Sequence, residues 1–131
     1  MNFSLQKPPI YERLHARFGV NWDDGIAITY GDTVYSKNPI SKILAFHEEV
    51  HMWQQQQIGV EEWWNRYLND KVFRLGQEVQ AYKRQIIALE AMVKDRNELY
   101  RAKRQIYLDL SSGMYDYMCS YDQARDLLLT P

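Results

Sequence analysis

From Gln77 to Ser112 the chain contains neither glycine nor proline, and Leu75, Val79, Tyr82, Ile86, Leu89 and Val93 recur at alternating spacings of four and three. Those spacings stack side chains on one face of a helix, so the stretch predicts a long amphipathic helix with that face in the core. The stripe loses phase at Lys94-Asp95-Arg96 and resumes at Leu99, Ile106 and Leu110. A break near Asp95, or two helices packed together, is therefore expected. A chain that commits this much of itself to helix is expected to be mostly helical, and the rest of the sequence shows where strands enter.

Pro8 and Pro9 suit the first turn of a helix, and Ile10, Leu14 and Phe18 recur at four-residue spacing up to Gly19, a natural C-terminal cap. From Gly25 the pattern changes. Ile26, Ile28 and Tyr30 alternate with smaller residues, Gly31-Asp32 follows, and Thr33-Val34-Tyr35 is again β-branched and aromatic, which predicts a tight β-hairpin. Asn38-Pro39 reads as the start of the next helix, with asparagine as cap and proline at the first helical position. That helix is expected to run to about Gln57 and to be stopped by Gly59. A short helix from Glu61 to Asn69 carries Trp63, Trp64, Tyr67 and Leu68, and a last helix ends at Leu129, opened by Ser120 and Gln123 as a capping box. The fold class expected is thus α+β, mostly helical, with a small hairpin on one helix. No repeat or linker divides the chain, so one domain spanning 1–131 is expected.

Composition removes several classes of function. Lysine plus arginine number 16 against 17 aspartates and glutamates, so the overall field gives no reason to expect nucleic acid or an anionic membrane as partner. Seven basic residues do fall between Lys83 and Arg104, where a solvated helix face accounts for them. Cys119 is the only cysteine; no intrachain disulfide can form and nothing demands an oxidising compartment. No run approaches the ~18 apolar residues of a membrane span, and Met1 to Ile10 has no charged segment followed by an apolar one. A cytoplasmic protein is the expectation.

The chemistry concentrates at His47-Glu48-Glu49-Val50-His51. Two histidines four apart on a helix project from one face, roughly 6 Å apart at the backbone, so both imidazoles can converge on one metal ion. Glu48, between them, then faces a metal-bound water. HExxH in a helix is the zinc metallopeptidase signature. A catalytic zinc takes three protein ligands and leaves a position open, so one donor is missing. A histidine six residues after the second one would fall at Gln57, which excludes the metzincin spacing. Glu61 and Glu62 follow soon after the helix but suit the N-terminus of the next one. Glu78 lies directly beside the apolar stripe, where a carboxylate is costly to bury unless paired or metal-bound, and is the preferred third ligand; Gln77 and Gln80 turn elsewhere. His15 has no neighbouring ligand and reads as a surface or core-edge histidine.

His47-Glu48-x-x-His51 followed at a distance by Glu78-Val-Gln-Ala-Tyr82 resembles the gluzincin pattern, and most closely its very short single-domain members. Ile28 to Tyr35 before the motif and Gln54-Gln55 after it also resemble small HExxHxxQ metallopeptidase-like domains of phage and bacterial proteins. The resemblance covers Gly25 to about Gln85. It implies a zincin-like minimal domain, a Zn2+ cofactor held by His47, His51 and Glu78, Glu48 as general base, and a peptide or protein as substrate. A strand of the hairpin, Ile26 to Tyr30 or Thr33 to Tyr35, is expected to take that substrate as an added strand. The chain departs from the larger members in two ways: Tyr82 stands where an aspartate orients a zinc-bound histidine, and no spare histidine serves the oxyanion, leaving Tyr115, Tyr117 and Tyr121 as candidates. A zinc-stabilised helical module without catalysis is the alternative, against which the intact Glu48 argues, since a structural site has no use for a base.

Overall fold

The computed structural model describes residues 1–130. Its elements are β1 (Asn2–Ser4), α1 (Tyr11–Phe18), a 3-10 turn (Trp22–Asp24), β2 (Ala27–Tyr30), β3 (Thr33–Ser36), α2 (Lys42–Ile58), α3 (Val60–Asn69), α4 (Lys71–Met92), α5 (Arg96–Leu110), a second 3-10 turn (Gly113–Tyr115) and α6 (Tyr121–Leu129). The expected α+β, mostly helical class is what the chain adopts. No helix among the described residues is long and apolar enough to cross a membrane.

The hairpin forms as the alternation predicts. Tyr30 pairs with Thr33 and Ile28 with Tyr35, and Gly31 takes φ 65° in the turn, a conformation that favours glycine. The N-terminal strand β1 has no counterpart in the sequence reading. It pairs parallel with β3, Phe3 opposite Val34, and gives the strand order β1-β3-β2. Strand β3 is therefore central and paired on both sides. Thr33 to Tyr35 cannot take an added strand; of the two segments proposed from sequence, only β2 keeps a free edge.

Two helix starts differ from expectation. Helix α2 begins at Lys42 rather than at Asn38-Pro39, because Asn38 still belongs to the turn leaving β3, its carbonyl accepting a hydrogen bond from Ser36 Oγ. Ser41, with extended backbone, is the cap: its Oγ accepts from Leu44 N at 3.1 Å. Helix α1 begins at Tyr11, after Pro8 and Pro9, whose turn is closed by Tyr11 N donating to the Pro8 carbonyl; Gly19 ends it at φ 68° as expected. The break near Asp95 is present, since α4 ends at Met92 and Asp95 caps α5 by accepting from Glu98 N. The basic residues are thereby split between two helices; Arg84 stacks on Phe46 and Lys103 pairs with Glu90. Ser120 and Gln123 form the capping box of α6.

Apolar side chains gather in two clusters. One joins Ile10, Tyr11 and Leu14 of α1 and Ile28 of β2 to Trp63, Trp64, Tyr67 and Leu68 of α3. The other joins α4, α5 and α6 through Tyr82, Ile86, Leu89, Ile106, Leu110 and Leu128, with Cys119 buried among them. Helix α2 packs on β2 and α4, yet its buried residues are His47, Glu48, His51, Gln54 and Gln55. A helix that buries only polar groups forfeits hydrophobic stabilisation and is stable only if every group finds a partner. That requirement defines the site.

Candidate metal centre

His47 and His51 leave the buried face of α2 one turn apart, and Glu78 meets them from α4; all three are buried. His47 Nε2 and His51 Nε2 stand 3.2 Å apart. Glu78 brings Oε1 to 3.1 Å from His47 Nε2 and Oε2 to 3.0 Å from His51 Nε2. Two ring nitrogens that face each other across a carboxylate need a cation between them, a proton or a metal. Donors each ~2.0–2.1 Å from a tetrahedral zinc lie about 3.3–3.4 Å from one another, so a metal fits this triangle with shifts of a few tenths of an ångström. The donor set, two imidazoles and one carboxylate, could hold a metal ion.

The tautomer of His51 follows from its neighbours. Gln54 Nε2 donates to the Gln77 backbone carbonyl at 3.1 Å and to Gln80 Oε1 at 2.8 Å. A carbonyl only accepts, which orients the Gln54 amide and turns its Oε1 toward His51 Nδ1 at 2.9 Å. Nδ1 therefore carries the proton, and the Nε2 lone pair of neutral His51 faces the ligand triangle. His47 has no such support. Its Nδ1 is buried without a partner, and Tyr82, at the position where an aspartate would orient it, packs its ring against the imidazole at 4.5 Å between centroids.

Around the triangle, Tyr67 donates to Glu78 Oε2 at 2.9 Å. Thr29 Oγ1 donates to Glu48 Oε1 at 3.1 Å, leaving Glu48 Oε2 3.7 Å from His47 Nε2. Gln55, fully buried, donates to the Thr29 carbonyl and accepts from Gly31 N, each at 2.8 Å, and so ties α2 to the outer edge of β2. Trp63 Nε1 donates to Gln77 Oε1 at 2.8 Å. Gln77 and Gln80 thus stay out of the ligand set, as expected, while holding Gln54 and Trp63 in place.

Burial opposes the charge on Glu78, but the neighbouring His51 and the two histidine hydrogen bonds prevail and hold its carboxyl well below the usual range. Burial likewise opposes protonation of His51, yet the Glu78 charge and hydrogen bond outweigh it and raise the metal-free imidazole to about 9. Glu48 is pushed up, chiefly by burial. Tyr67, Tyr82 and Tyr115 are all held neutral by burial and the nearby Glu78 charge.

The ligand triangle opens into a cavity of about 270 Å³ bordered by β2 and by Trp64, Tyr82 and Tyr115. Of the three tyrosines read as oxyanion donors, only Tyr115 reaches it; Tyr117 is 77% exposed and Tyr121 packs on Tyr107. Glu61 and Glu62 lie outside, engaged with Tyr30 and Arg66. His15 is exposed, its Nδ1 at 2.7 Å from the Val20 carbonyl. Sequence reasoning missed Thr29, Gln55, Tyr67 and the orienting role of Gln54. The last was detectable, because three residues after His51 is the same helical face.

Comparisons of the chain with protein-family models, with curated proteins and with solved structures found no match.

Proposed function

We propose that His47, His51 and Glu78 hold a zinc ion and that the chain hydrolyses peptide bonds, in the manner of the small gluzincin-like metallopeptidases its motif resembles. One observation carries this reading: a second buried acid, Glu48, stands beside the three convergent donors with one oxygen tied down and the other facing them, inside a cavity that borders a free strand edge. A purely structural site has no need of that carboxylate.

Zinc held there by His47, His51 and Glu78 would supply Lewis acidity, to polarise a carbonyl and acidify water. Glu48 Oε2 takes the proton of the attacking water and passes it to the leaving amine. Thr29 keeps that oxygen aimed by holding Oε1. The neutral Tyr115 hydroxyl, 3.4 Å from Tyr82 O–H, is a donor for the developing oxyanion. An extended peptide pairs with the outer edge of β2. Gln55 already occupies the Thr29 carbonyl and Gly31 N–H, so the peptide takes the Ala27 side, whose backbone groups share that edge by strand alternation. Nothing in this reading requires an oxidising compartment, consistent with a cytoplasmic protein.

Elemental analysis of protein purified without added zinc, with digestion of a peptide library with and without chelator, tests the proposal. Stoichiometric zinc and chelator-sensitive cleavage are expected. Glu48→Gln should keep the zinc and lose about 100-fold or more in cleavage rate, whereas Glu78→Ala should lose zinc. Stoichiometric zinc without cleavage by the unaltered chain would reduce the protein to a zinc-stabilised module, and absence of metal would remove both readings.

A further inference from the structure

Helix α4 presents Glu78, Tyr82 and Gln85 on one face at spacings of four and three, and all three line the cavity. Gln85 lies seven residues beyond Glu78, about 10 Å further along the helix axis, or the span of two to three residues of extended peptide. At that end α5 adds Asp109 to the wall. Two acceptors there are short of donors. Gln85 Oε1 is buried with no hydrogen-bond partner among the described residues. Asp109 receives one hydrogen bond, from Gln105 Nε2 to Oδ1 at 2.9 Å, and no cationic side chain among the described residues lies within ion-pair distance of it. Toward α1 and α3 the same cavity is apolar, walled by Leu14, Val20, Ile26 and Trp64.

We infer that Gln85 and Asp109 form a subsite for the cationic side chain of a peptide substrate, arginine or lysine, two to three residues from the scissile bond. Charge accounting favours a cation over a neutral donor: a divalent metal balances Glu48 and Glu78, and Asp109 is then the one uncompensated charge on the wall. Chemistry favours arginine over lysine. A guanidinium can present two N–H groups to the carboxylate and a third to the Gln85 oxygen, whereas an ammonium acts as a point charge. The apolar opposite end selects an aliphatic or aromatic residue across the scissile bond.

This inference rests on the proposed peptide hydrolysis, and its test separates the two. Acetylated hexapeptide amides that differ at one position only, carrying arginine, lysine, norleucine or glutamate, are scanned through all positions. Cleavage by the unaltered protein is measured beside fluorescence-anisotropy binding to zinc-loaded Glu48→Gln protein. At one position, arginine and lysine should be favoured over norleucine by about tenfold in both readouts, the ratio that ~1.4 kcal/mol represents. Asp109→Asn should abolish the difference, Asp109→Lys should favour glutamate, and Gln85→Leu should weaken arginine more than lysine; circular dichroism checks that each variant is folded. Cleavage or binding without such a preference, a preference that survives Asp109→Asn in folded protein, or no binding at all overturns the subsite. A preference in binding without cleavage keeps the subsite and refutes the hydrolase reading.

Discussion

Replacing Gln54 by methionine isolates what one amide does for the metal. The two side chains are similar in size, so the packing between α2 and α4 changes little. Three hydrogen bonds disappear, but their losses are unequal. The Gln77 carbonyl sits inside α4 and still accepts from the next turn of its own helix. Gln80 is exposed and turns to water. His51 Nδ1 has neither recourse, because His51 is only 6% exposed and Gln54 is its acceptor. A buried donor left unsatisfied costs ~1–3 kcal/mol. Neutral His51 can then move its proton to Nε2, the atom that faces His47 and Glu78. Zinc affinity should accordingly fall about 10–100-fold, the range found when a ligand histidine loses its orienting partner. Competition against a chromophoric chelator measures this. Gln54→Glu is the control, since a carboxylate also accepts from Nδ1–H; it should retain affinity yet lower the folding stability, because it cannot donate to the Gln77 carbonyl. An affinity for Gln54→Met within twofold of the unaltered protein, in a background where Glu78→Ala loses zinc, would refute the tautomer argument.

Metal-free protein should lose stability as pH rises from 6.5 through about 9. The folded His51 is raised above its unfolded value of 6.5, so its contribution is complete below 6.5 and is lost on passing about 9; urea titrations across that window check it. Zinc affinity should move the opposite way over the same window, because metal must displace the His51 proton. Arg74→Met should lower stability by ~1–3 kcal/mol, the cost of leaving the Tyr67 carbonyl without its buried donor, because Asp116 is 28% exposed and keeps Arg17 as a partner. Arg74 is fully buried, holds the Tyr67 carbonyl at 2.5 Å and pairs with Asp116, so equilibrium denaturation with an unchanged midpoint would exclude that role. Cys119, buried and with its thiol pushed up by burial, should resist alkylation in the folded protein and react once urea unfolds it.

What could be read from the sequence depended on how local its cause was. The stripe through α4 and the hairpin were legible because helical and strand periods reside in neighbouring residues. Asp95 was legible as a break because an acidic cap and a loss of phase coincide there. Strand β1 was not, since three residues pairing with Thr33 to Tyr35 carry no alternation of their own and owe their conformation to a distant partner. The start of α2 was misread for a related reason: Asn38-Pro39 and Ser41 are both acceptable caps, and only the path of the chain out of β3 decides between them. Glu78 could be singled out because a carboxylate at the edge of an apolar stripe demands a partner. Arg74 makes the same demand and passed unnoticed, as it lies just before the stripe and its carboxylate, Asp116, arrives from beyond α5.

The glutamines that follow the motif show how one helix can carry a site without an apolar face. Successive residues on α2 point about 100° apart, so Gln54 and Gln55 reach in different directions. Gln54 joins His51 to α4, the helix that supplies Glu78. Gln55 joins α2 to β2, the strand that supplies Thr29 and with it the aim of Glu48. An amide both donates and accepts, and each of these two uses both ends. Leucines in the same places would pack as well but would leave the Gly31 N–H and His51 Nδ1–H without acceptors. His47, His51 and Glu48 thus sit on an otherwise costly polar face, held in register with the two elements that complete the site by the residues that make that face satisfiable.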